Sequence, residues 1–306
     1  MDVKPSTLYL VGTPIGNLDD ITFRAIEVLR KVDTIAAEDT RHTGKLLHYF
    51  QISTPQISYH DHNRLSRIPD LLARLKGGQS IALVTDAGMP CISDPGYELV
   101  KACADAALSV VPIPGVTAVI TGLAASGLRS DRFTFEGFLP AKEKERLSVL
   151  EPLRSDVRTL IFYEAPHRIR ESLKSMAEVF GGDRWVALAR ELTKLHEEFW
   201  RGTLTEAIAH YVEKDPQGEY TVIVAGCEIP VIELSEERLK AEMTLLLGEG
   251  QSRSSISKQL AVQTGLPKRQ LYQWALELSD PEVNHPTVDP QTQPRKIGPD
   301  RRDNGH

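Results

Sequence analysis

The sequence lacks the cysteine pattern of a disulfide framework or of a zinc site. Its 306 residues include three cysteines, Cys91, Cys103 and Cys227, and no two of them form a C-x-x-C pair. An odd, unpaired set of this kind is typical of a protein in a reducing compartment, which favours the cytosol. Since no spacing of histidine and cysteine resembles a zinc ligand set, we also expect no metal.

Two further absences concern location and partners. The sequence has no run of about 18 apolar residues, and its N-terminal segment has no basic region followed by an apolar stretch and a small-residue cleavage site. We therefore expect a cytoplasmic protein without a membrane anchor. The formal net charge is -6 at pH 7, so no global positive field indicates a nucleic-acid partner. A local positive patch can still act alone.

The familiar phosphate-binding motifs are absent as well. An apolar strand at Leu8–Val11 leads into a loop, Gly12–Asn17, that contains two glycines and a proline. The dinucleotide fingerprint requires G-x-G-x-x-G, and the P-loop requires a lysine after its last glycine; this loop has neither. It either contacts a ligand of another kind or is a tight turn between a strand and a helix.

Short apolar segments alternate with helical patterns through the first third of the chain. This alternation predicts an α/β fold with a parallel sheet, and ligands bind such sheets beyond the carboxyl ends of the strands. Three loops that follow predicted strands are therefore candidates for the binding site: Gly12–Asn17, Asp86–Gly96 and Pro112–Thr117.

The loop Asp86–Gly96 contains the most candidate functional residues. Asp86 ends a strand, where a carboxylate can accept hydrogen bonds from a ribose or an amine. Gly88 permits close approach of the backbone to a ligand. We expect Asp94 to cap the helix that begins near Pro95, because a carboxylate there accepts a hydrogen bond from an unsatisfied backbone N–H.

After the helix of small residues at Ala118–Ser126, strands become more frequent and helices fewer. This change predicts a second α/β domain with a mixed sheet and a boundary near Pro114–Ala118. We expect an N-terminal α/β domain at 1–116, a C-terminal α/β domain at 117–232, a helical module at 235–279 and a disordered tail at 280–306. The tail has five prolines and no aromatic residue, so it cannot bury a core.

The helical module carries a local positive charge. Residues 251–276 contain no acid and four basic residues: Arg253, Lys258, Lys268 and Arg269. Two helical patterns around a short glycine-containing turn are typical of a helix-turn-helix, and such a patch suits contacts with an RNA backbone. The alternative is an ordinary helical cap that buries Leu260, Leu271 and Trp274 and leaves the charges in solvent.

The three loops, in this order, resemble those of the tetrapyrrole methylase superfamily: GTPIGN, TDAGMPCISDPG and PIPGVTA. Further segments are similar to the ribosomal RNA small subunit methyltransferase I family within it: EDTRHTGKLL, SYHDHN, FEGFLP, FYEAPHRI and ARELTKLHEEFWRGTL. The resemblance covers about residues 6–279. It implies two α/β domains with S-adenosylmethionine in the cleft between them, plus a small C-terminal helical module.

The resemblance also implies an activity and a set of ligand contacts. The family methylates the ribose 2′-hydroxyl of a cytidine in the decoding region of 16S rRNA, on free RNA or on an assembled small subunit, and a homodimer is expected. By similarity, S-adenosylmethionine should contact Pro14, Asp86, Ala87, Gly88, Ile92, Thr117 and Ala118. Tyr163 and the stretch Tyr220–Val222 should line the pocket from the second domain, with Tyr163, Tyr220 and Val222 as the expected contacts. Substrate contacts are expected from Arg41, Asn63, Arg168 and Arg190, and from the four basic residues of the helical module. A guanidinium fork makes two bonds to a phosphate or carboxylate at once, and Glu164 could orient Arg168.

A neutral ribose hydroxyl is a poor nucleophile, so an oriented general base should assist the transfer. Four residues are candidates: Glu38, Asp39, His62 and Lys194. Glu38 and Asp39 end a strand on the ligand side, His62 belongs to the residue type that most often serves as a general base, and Lys194 would need a lowered pKa. Each has a structural alternative, since Asp39 could cap the following helix, His62 could be a surface residue and Lys194 could pair with a phosphate.

Two other functions fit the same fold. A methylase of a tetrapyrrole precursor or of a modified protein residue would keep the cofactor site and change the substrate, but the basic helical module argues against a small tetrapyrrole. A non-catalytic RNA-binding assembly factor would keep the fold as a scaffold. The intact turn from Asp86 to Pro90 argues against that alternative, because a chain that no longer bound the cofactor would not need it.

Overall fold

A computed structural model describes residues 2–228 and 235–278 of the chain. The described residues up to Glu228 form one compact unit, and the described residues from Ser235 form another. Within the described residues, no helix combines the length and the apolar character needed to cross a bilayer. The predicted tail at 280–306 lies outside the described residues.

The first sheet has five parallel strands: β1 (Thr7–Val11), β2 (Thr34–Ala37), β3 (Gln56–Ser58), β4 (Ile81–Val84) and β5 (Ser109–Ile113). They are arranged in the order β3-β2-β4-β1-β5. Every residue of β2 and β4 is buried. Strands covered on both faces are continuous apolar runs rather than alternating patterns, which is why TIAA and IALV form the middle of this sheet.

Four helices cover this sheet: α1 (Phe23–Lys31), α2 (Thr40–Tyr49), α3 (Arg64–Lys76) and α4 (Tyr97–Asp105). A fifth helix, α5 (Ala118–Ser126), follows β5. The sheet has an apolar cluster on each face, one around Val28 and Leu29 of α1 and the other around Leu71 and Leu75 of α3. With both faces covered by side chains, the polar ends of the strands are left as the place where a ligand can bind.

The second sheet is mixed: β6 (Phe133–Phe138), β7 (Thr159–Glu164), β8 (Trp185–Arg190), β9 (Glu198–Thr203) and β10 (Tyr220–Val224). Its order is β6-β7-β10-β8-β9, with β6 parallel to β7 and the other pairs antiparallel. One face packs on three helices: α6 (Glu143–Leu150), α7 (Ile169–Phe180) and α8 (Leu204–Glu213). Phe162, Leu173 and Val222 are central to that core.

The opposite face of the second sheet packs on α5. Val119 and Leu123 of this helix share an apolar cluster with Ile161 and Ile223. Gly122 lies so close to β10 that a Cβ there would be 3.2 Å from Thr221 Cγ2. The small residues of α5 therefore serve close packing. The predicted boundary near Pro114–Ala118 falls between the last strand of the first sheet and this helix.

The C-terminal unit has three described helices: α9 (Glu236–Gly248), α10 (Arg253–Thr264) and α11 (Lys268–Glu277). They enclose an apolar cluster that includes Met243, Leu260 and Leu271. Gly265 ends α10 in the left-handed conformation, at φ +70°, as a glycine after a helix commonly does. The predicted α/β class, with a parallel first sheet, a mixed second sheet and C-terminal helices, is confirmed.

Candidate active site

A cavity of about 580 Å³ lies between the carboxyl ends of the first sheet and the second sheet. That volume is in the range of small-molecule binding sites. The first sheet contributes Ile15, Glu38, Asp86, Ala87, Gly88, Met89, Ile92, Ser93, Asp94, Thr117 and Ala118. The second sheet contributes Phe138, Tyr163, Glu164, Ala165, Pro166, His167, Ala189, Leu192, Lys194, Glu219, Tyr220 and Thr221.

Eight of the ten residues predicted to contact the cofactor line this cavity: Asp86, Ala87, Gly88, Ile92, Thr117, Ala118, Tyr163 and Tyr220. Val222 does not, because it is fully buried in the core between the second sheet and its helices. Side chains alternate along a strand, so its neighbour Thr221 faces the cavity instead. Pro14 is also absent from the cavity wall, and the adjacent Ile15 takes part in its place.

The three predicted loops are joined through their backbones. Thr13 N donates to Gly88 O at 2.9 Å, and Gly88 N donates to Thr13 O at 3.1 Å. Gly88 has φ +84°, a conformation that glycine adopts without strain. The loop Gly12–Asn17 therefore supports the loop after β4, and its Ile15 side chain reaches the cavity.

The segment from Met89 to Gly96 is strained. Cys91 and Ser93 both have left-handed backbone conformations, with φ +74° and +61°. Such conformations are unfavourable for residues other than glycine and concentrate at functional sites. The strain places the side chain of Asp94 in the cavity wall.

Our prediction that Asp94 caps α4 is wrong. The residue before the helix is Gly96, with φ +151°, and no side chain caps this helix. Because Pro95 and Gly96 delay the helix start to Tyr97, the Asp94 carboxylate is two residues too early to reach its first turn. Burial raises the pKa of Asp94 to about 7, with added repulsion from Glu38 and a smaller opposing effect of the nearby Thr85 side chain.

This pKa predicts that Asp94→Asn stabilises the protein without bound ligand at high pH. A carboxyl whose pKa is raised on folding destabilises the fold progressively as the pH rises from its unfolded to its folded value. We expect the variant to gain about 1–2 kcal/mol at pH 8, after allowance for partial exposure, and almost nothing at pH 4. Melting temperatures measured at both pH values, with Asp105→Asn as the exposed control, test this. A gain that does not depend on pH would contradict it.

The ends of β2 and β4 are tied by two hydrogen bonds that involve carboxylates. Asp86 N donates to Glu38 Oε2 at 3.3 Å, and Asp39 N donates to Asp86 Oδ1 at 3.2 Å. Burial raises the pKa of Glu38, and the nearby charge of Asp86 adds to this, against the lowering effect of the Asp86 N–H. Glu38 and Asp86 thus form an acidic wall of the cavity.

Asp39 is a helix cap, the structural alternative given for it above. Its Oδ1 accepts from Arg41 N at 2.8 Å at the start of α2, and its Oδ2 is 2.7 Å from Arg41 Nη2. Hydrogen bonds from the Arg41 side chain and backbone hold the pKa of Asp39 well below its usual range. Such a carboxylate is a weak base, and neither it nor the exposed Arg41 lines the cavity.

Lys194 lines the cavity but lacks the lowered pKa that a base would need. Its Nζ is 2.8 Å from Glu191 Oε1 and 3.0 Å from Glu219 Oε2. Burial lowers the pKa of the ammonium, but the hydrogen bonds to the two carboxylates outweigh it and the pKa is raised. Lys194 is therefore a permanent cation beside the cavity.

His62 and Asn63 lie outside the cavity wall. Asn63 Oδ1 accepts from His60 N at 2.8 Å, and Asn63 Nδ2 donates to Ser58 Oγ at 3.1 Å. The amide thus shapes the loop before α3. The ring of His62 lies 5.9 Å from that of His60.

The arginines predicted to bind the substrate have partners within the protein. Arg168 Nε donates to the buried Glu164 at 2.8 Å, so Glu164 does orient Arg168. Arg190 Nη2 is 3.0 Å from Glu198 Oε2.

In the C-terminal unit, Arg253 donates to Ala275 O and Leu278 O, at 2.8 and 3.1 Å, and so caps the end of α11. The other three residues of this unit that were predicted to contact substrate, Lys258, Lys268 and Arg269, are exposed.

Sequence reasoning assigned no cavity role to several wall residues from the second sheet. Phe138 and Ala189 belong to its strands, and Ala165–His167 follow β7. The segments FEGFLP and FYEAPHRI contain four of these five residues, and Ala189 begins the segment ARELTKLHEEFWRGTL, so the motifs were the available signal. Among the described residues, no three His, Cys, Asp or Glu side chains are grouped as a metal site would require.

Comparison with known proteins agrees with this geometry. A family model described as tetrapyrrole (corrin/porphyrin) methylases matches residues 7–208. A Synechocystis sp. protein named ribosomal RNA small subunit methyltransferase I is 57% identical over 274 residues, which cover 89% of this chain and 98% of that protein. A Bacillus subtilis protein of the same name is 47% identical over 270 residues, 87% of this chain and 92% of that one.

Solved structures with much lower identity share the fold. A uroporphyrin-III C-methyltransferase from Thermus thermophilus has a TM-score of 0.51 at 20% identity, over 72% of this chain and 94% of that one. A diphthine synthase has a TM-score of 0.57 at 14% identity, over 72% of this chain and 90% of that one. Their different substrates show that this fold alone does not determine what is methylated.

Proposed function

Because the chain belongs to the ribosomal RNA small subunit methyltransferase I family, within the tetrapyrrole methylases, we propose that it methylates the ribose 2′-hydroxyl of a cytidine in the decoding region of 16S rRNA. Its methyl donor is S-adenosylmethionine. The observation that carries the proposal is the cavity built from the family's loops in a chain 57% identical to a relative named for this RNA.

The cavity suits S-adenosylmethionine in size and charge. When bound, this cofactor supplies an electrophilic methyl group on a positively charged sulfonium. The carboxylates of Glu38 and Asp86 make one wall negative, which favours a cation. Ile92 and Tyr163 provide apolar surface for an adenine ring. The ring centroid of Phe138 is 5.5 Å from that of Tyr163, and this aromatic pair helps to exclude water.

We further propose that the exposed basic residues of the C-terminal unit contact RNA phosphates. Lys258 lies on α10, and Lys268 and Arg269 begin α11. Arg253 has a different role in this proposal, because its guanidinium already caps α11. The protein would act in the cytoplasm as a homodimer, in which a partner subunit could cover the almost fully exposed Phe23 and Leu195.

Charge removal should separate these two roles within the C-terminal unit. We expect Lys268→Ala with Arg269→Ala to weaken RNA binding and to reduce the slope of log Kd against log salt by about 1.5, with no change in melting temperature. Arg253→Ala should instead cost about 1–2 kcal/mol of stability through the lost helix cap. Filter binding across a salt series and thermal melting measure both effects. Equal effects of the two variants on both measurements would contradict the assignment.

The function is tested by methyl transfer to natural substrates. Purified protein is incubated with labelled S-adenosylmethionine and either small ribosomal subunits or free 16S rRNA from cells that lack the enzyme. Nuclease digestion and mass spectrometry then locate the label. Label on the ribose of one decoding-region cytidine would support the proposal. Tight cofactor binding without label on either RNA would contradict it and favour a tetrapyrrole substrate or a scaffold role.

A further inference from the structure

Five carboxylates line the cavity: Glu38, Asp86, Asp94, Glu164 and Glu219. They differ in the number of hydrogen bonds and ion pairs that they make with other groups of the protein. Glu164 accepts from Ala165 N, Arg168 Nε and Ser172 Oγ, so its oxygens are occupied. Glu219 is paired with Lys194 at 3.0 Å. Neither is available to accept a proton from a substrate without the loss of an existing interaction.

Glu38 and Asp86 are also engaged, although less completely. Each accepts a backbone N–H at the ends of β2 and β4, and together they hold the two strand ends in register. These backbone hydrogen bonds occupy one oxygen of each carboxylate. Movement of either side chain would also disturb the strand ends.

Among these five carboxylates, Asp94 makes the fewest interactions with other groups of the protein. It caps no helix, and among the described residues it has no ion pair with a lysine or arginine. No side-chain hydrogen bond within the described residues occupies its oxygens, and the nearby buried hydroxyl of Thr85 has no hydrogen-bond partner. The strained segment around Cys91 and Ser93 holds it in the wall, partly buried and facing the space where the reactants would meet.

We propose that Asp94 is the general base of the methyl transfer, an inference that rests on the proposed function. Its carboxylate takes the proton of the ribose 2′-hydroxyl as the oxygen lone pair forms a bond with the methyl carbon. The electron pair of the broken S–C bond stays on sulfur, which leaves neutral S-adenosylhomocysteine. The Asp94 carboxylic acid then releases its proton to water.

The charges around Asp94 suit this role. Three acids face it, Glu38 from the end of β2, Asp86 from the end of β4 and Asp61 from the loop before α3. Tyr163 of β7 and Cys91 of its own loop are the other titratable groups that interact with it. The cavity also contains the cation Lys194 and the exposed His167.

The acidic surroundings and burial bring the pKa of Asp94 to about 7. A base with a pKa near the working pH combines a populated basic form with useful basicity. The active form is the carboxylate, so the rate should fall as the pH drops below this pKa. A bound sulfonium would lower the pKa, which places the inflection at or below pH 7.

The test is a single-turnover assay with small ribosomal subunits or free 16S rRNA and labelled S-adenosylmethionine at saturating enzyme, from pH 5.5 to 9. We expect Asp94→Asn to lower the rate at pH 8 by about 10²- to 10⁴-fold. Its Kd for S-adenosylmethionine, measured by calorimetry, should stay within about threefold of the wild type. Asp94→Glu should recover part of the rate, and Asp105→Asn on α4 should match the wild type.

The pH profile is the second readout. The wild-type rate should rise about tenfold per pH unit below its inflection, and this inflection should be absent in Asp94→Asn but kept in His167→Asn. A variant Asp94→Asn with the wild-type rate, or with the same inflection, would overturn the inference alone. If Asp94→Asn does not fold, a wild-type rate that is flat between pH 5.5 and 8 would overturn it. A wild type that binds cofactor but labels neither substrate would overturn the proposed function, and the inference with it.

Discussion

Glu164→Ala is expected to lower the free energy of unfolding by about 3–5 kcal/mol. The carboxylate is 2% exposed at the end of β7. It accepts from Ala165 N and Arg168 Nε, each at 2.8 Å, and also from Ser172 Oγ, and its Oε1 is 2.7 Å from Arg168 Nη2. Its removal leaves a half-buried guanidinium and two further donors without their acceptor. The loss of one partner of a buried pair lowers the free energy of unfolding by much more than the intact pair contributes to it.

The chain offers a matched control in Glu151→Ala. Glu151 also pairs with an arginine a few residues later, Arg154, at 2.9 Å, but both side chains are more than half exposed. Because solvent screens exposed pairs, the midpoint of urea unfolding should not change measurably for this variant. Equal shifts of the midpoint for the two variants would contradict the assigned difference between buried and exposed pairs.

The effect of Glu164→Ala should extend to the ligand. Ala165, Pro166 and His167 line the cavity, and Glu164 holds this loop by its bonds to Ala165 N and Arg168. We expect affinity for S-adenosylmethionine to fall together with stability. A variant that is destabilised but binds the cofactor normally would show that the loop is held by other contacts.

Much of the fold could be predicted because its central strands are continuous apolar runs. TIAA and IALV are buried on both faces, and each is followed by a polar cluster that marks a strand end. Two elements were weakly signalled or not predicted. The helix α2 was indicated only by the possible cap at Asp39, because it contains Gly44 and two β-branched threonines and its local propensity is weak. The strand β3 has three residues, too few for a visible period.

The site was predicted best where one rule applies. In a parallel sheet the carboxyl ends of the strands meet at one edge, so the loops after β1, β4 and β5 could be placed together. The second sheet is mixed, and no such rule brings Phe138, Tyr163 and Thr221 to one place. Of the predicted stretch Tyr220–Val222, the first two residues line the cavity and Val222 lies in the core instead.

The role of Asp94 could not be predicted for a local reason. Asp before Pro commonly begins a helix, and only the conformation of Gly96 shows that the helix starts later. A pattern of residue types does not contain the backbone angles that separate a cap from a cavity carboxylate. The same limit applies to Arg253, whose charge suggested RNA and whose guanidinium instead caps α11.

Gly12→Ala is expected to weaken cofactor binding at least tenfold and to destabilise the protein by about 1–3 kcal/mol. A Cβ at Gly12 would lie 2.7 Å from Gly115 Cα and 2.7 Å from Met89 Sδ, closer than such atoms can approach. The methionine can move, but the backbone at Gly115 cannot move without the loop that leads to Thr117 and Ala118. The first and third loops must therefore separate, and the cavity wall changes with them.

Gly44→Ala is the control for this substitution. Its new Cβ would meet Gln56 Nε2 at an ordinary 3.6 Å, and alanine inside a helix should add about 0.5–1 kcal/mol to stability. Both variants add one methyl group beside the first sheet. If the melting temperature falls for Gly12→Ala and rises for Gly44→Ala, the defect comes from the close approach of the two loops and not from the added methyl group itself. Gly115→Ala should reproduce the Gly12→Ala defect, because its Cβ would lie 2.8 Å from Gly12 Cα. If Gly12→Ala instead bound S-adenosylmethionine as tightly as Gly44→Ala does, the contact between these two loops would not shape the site.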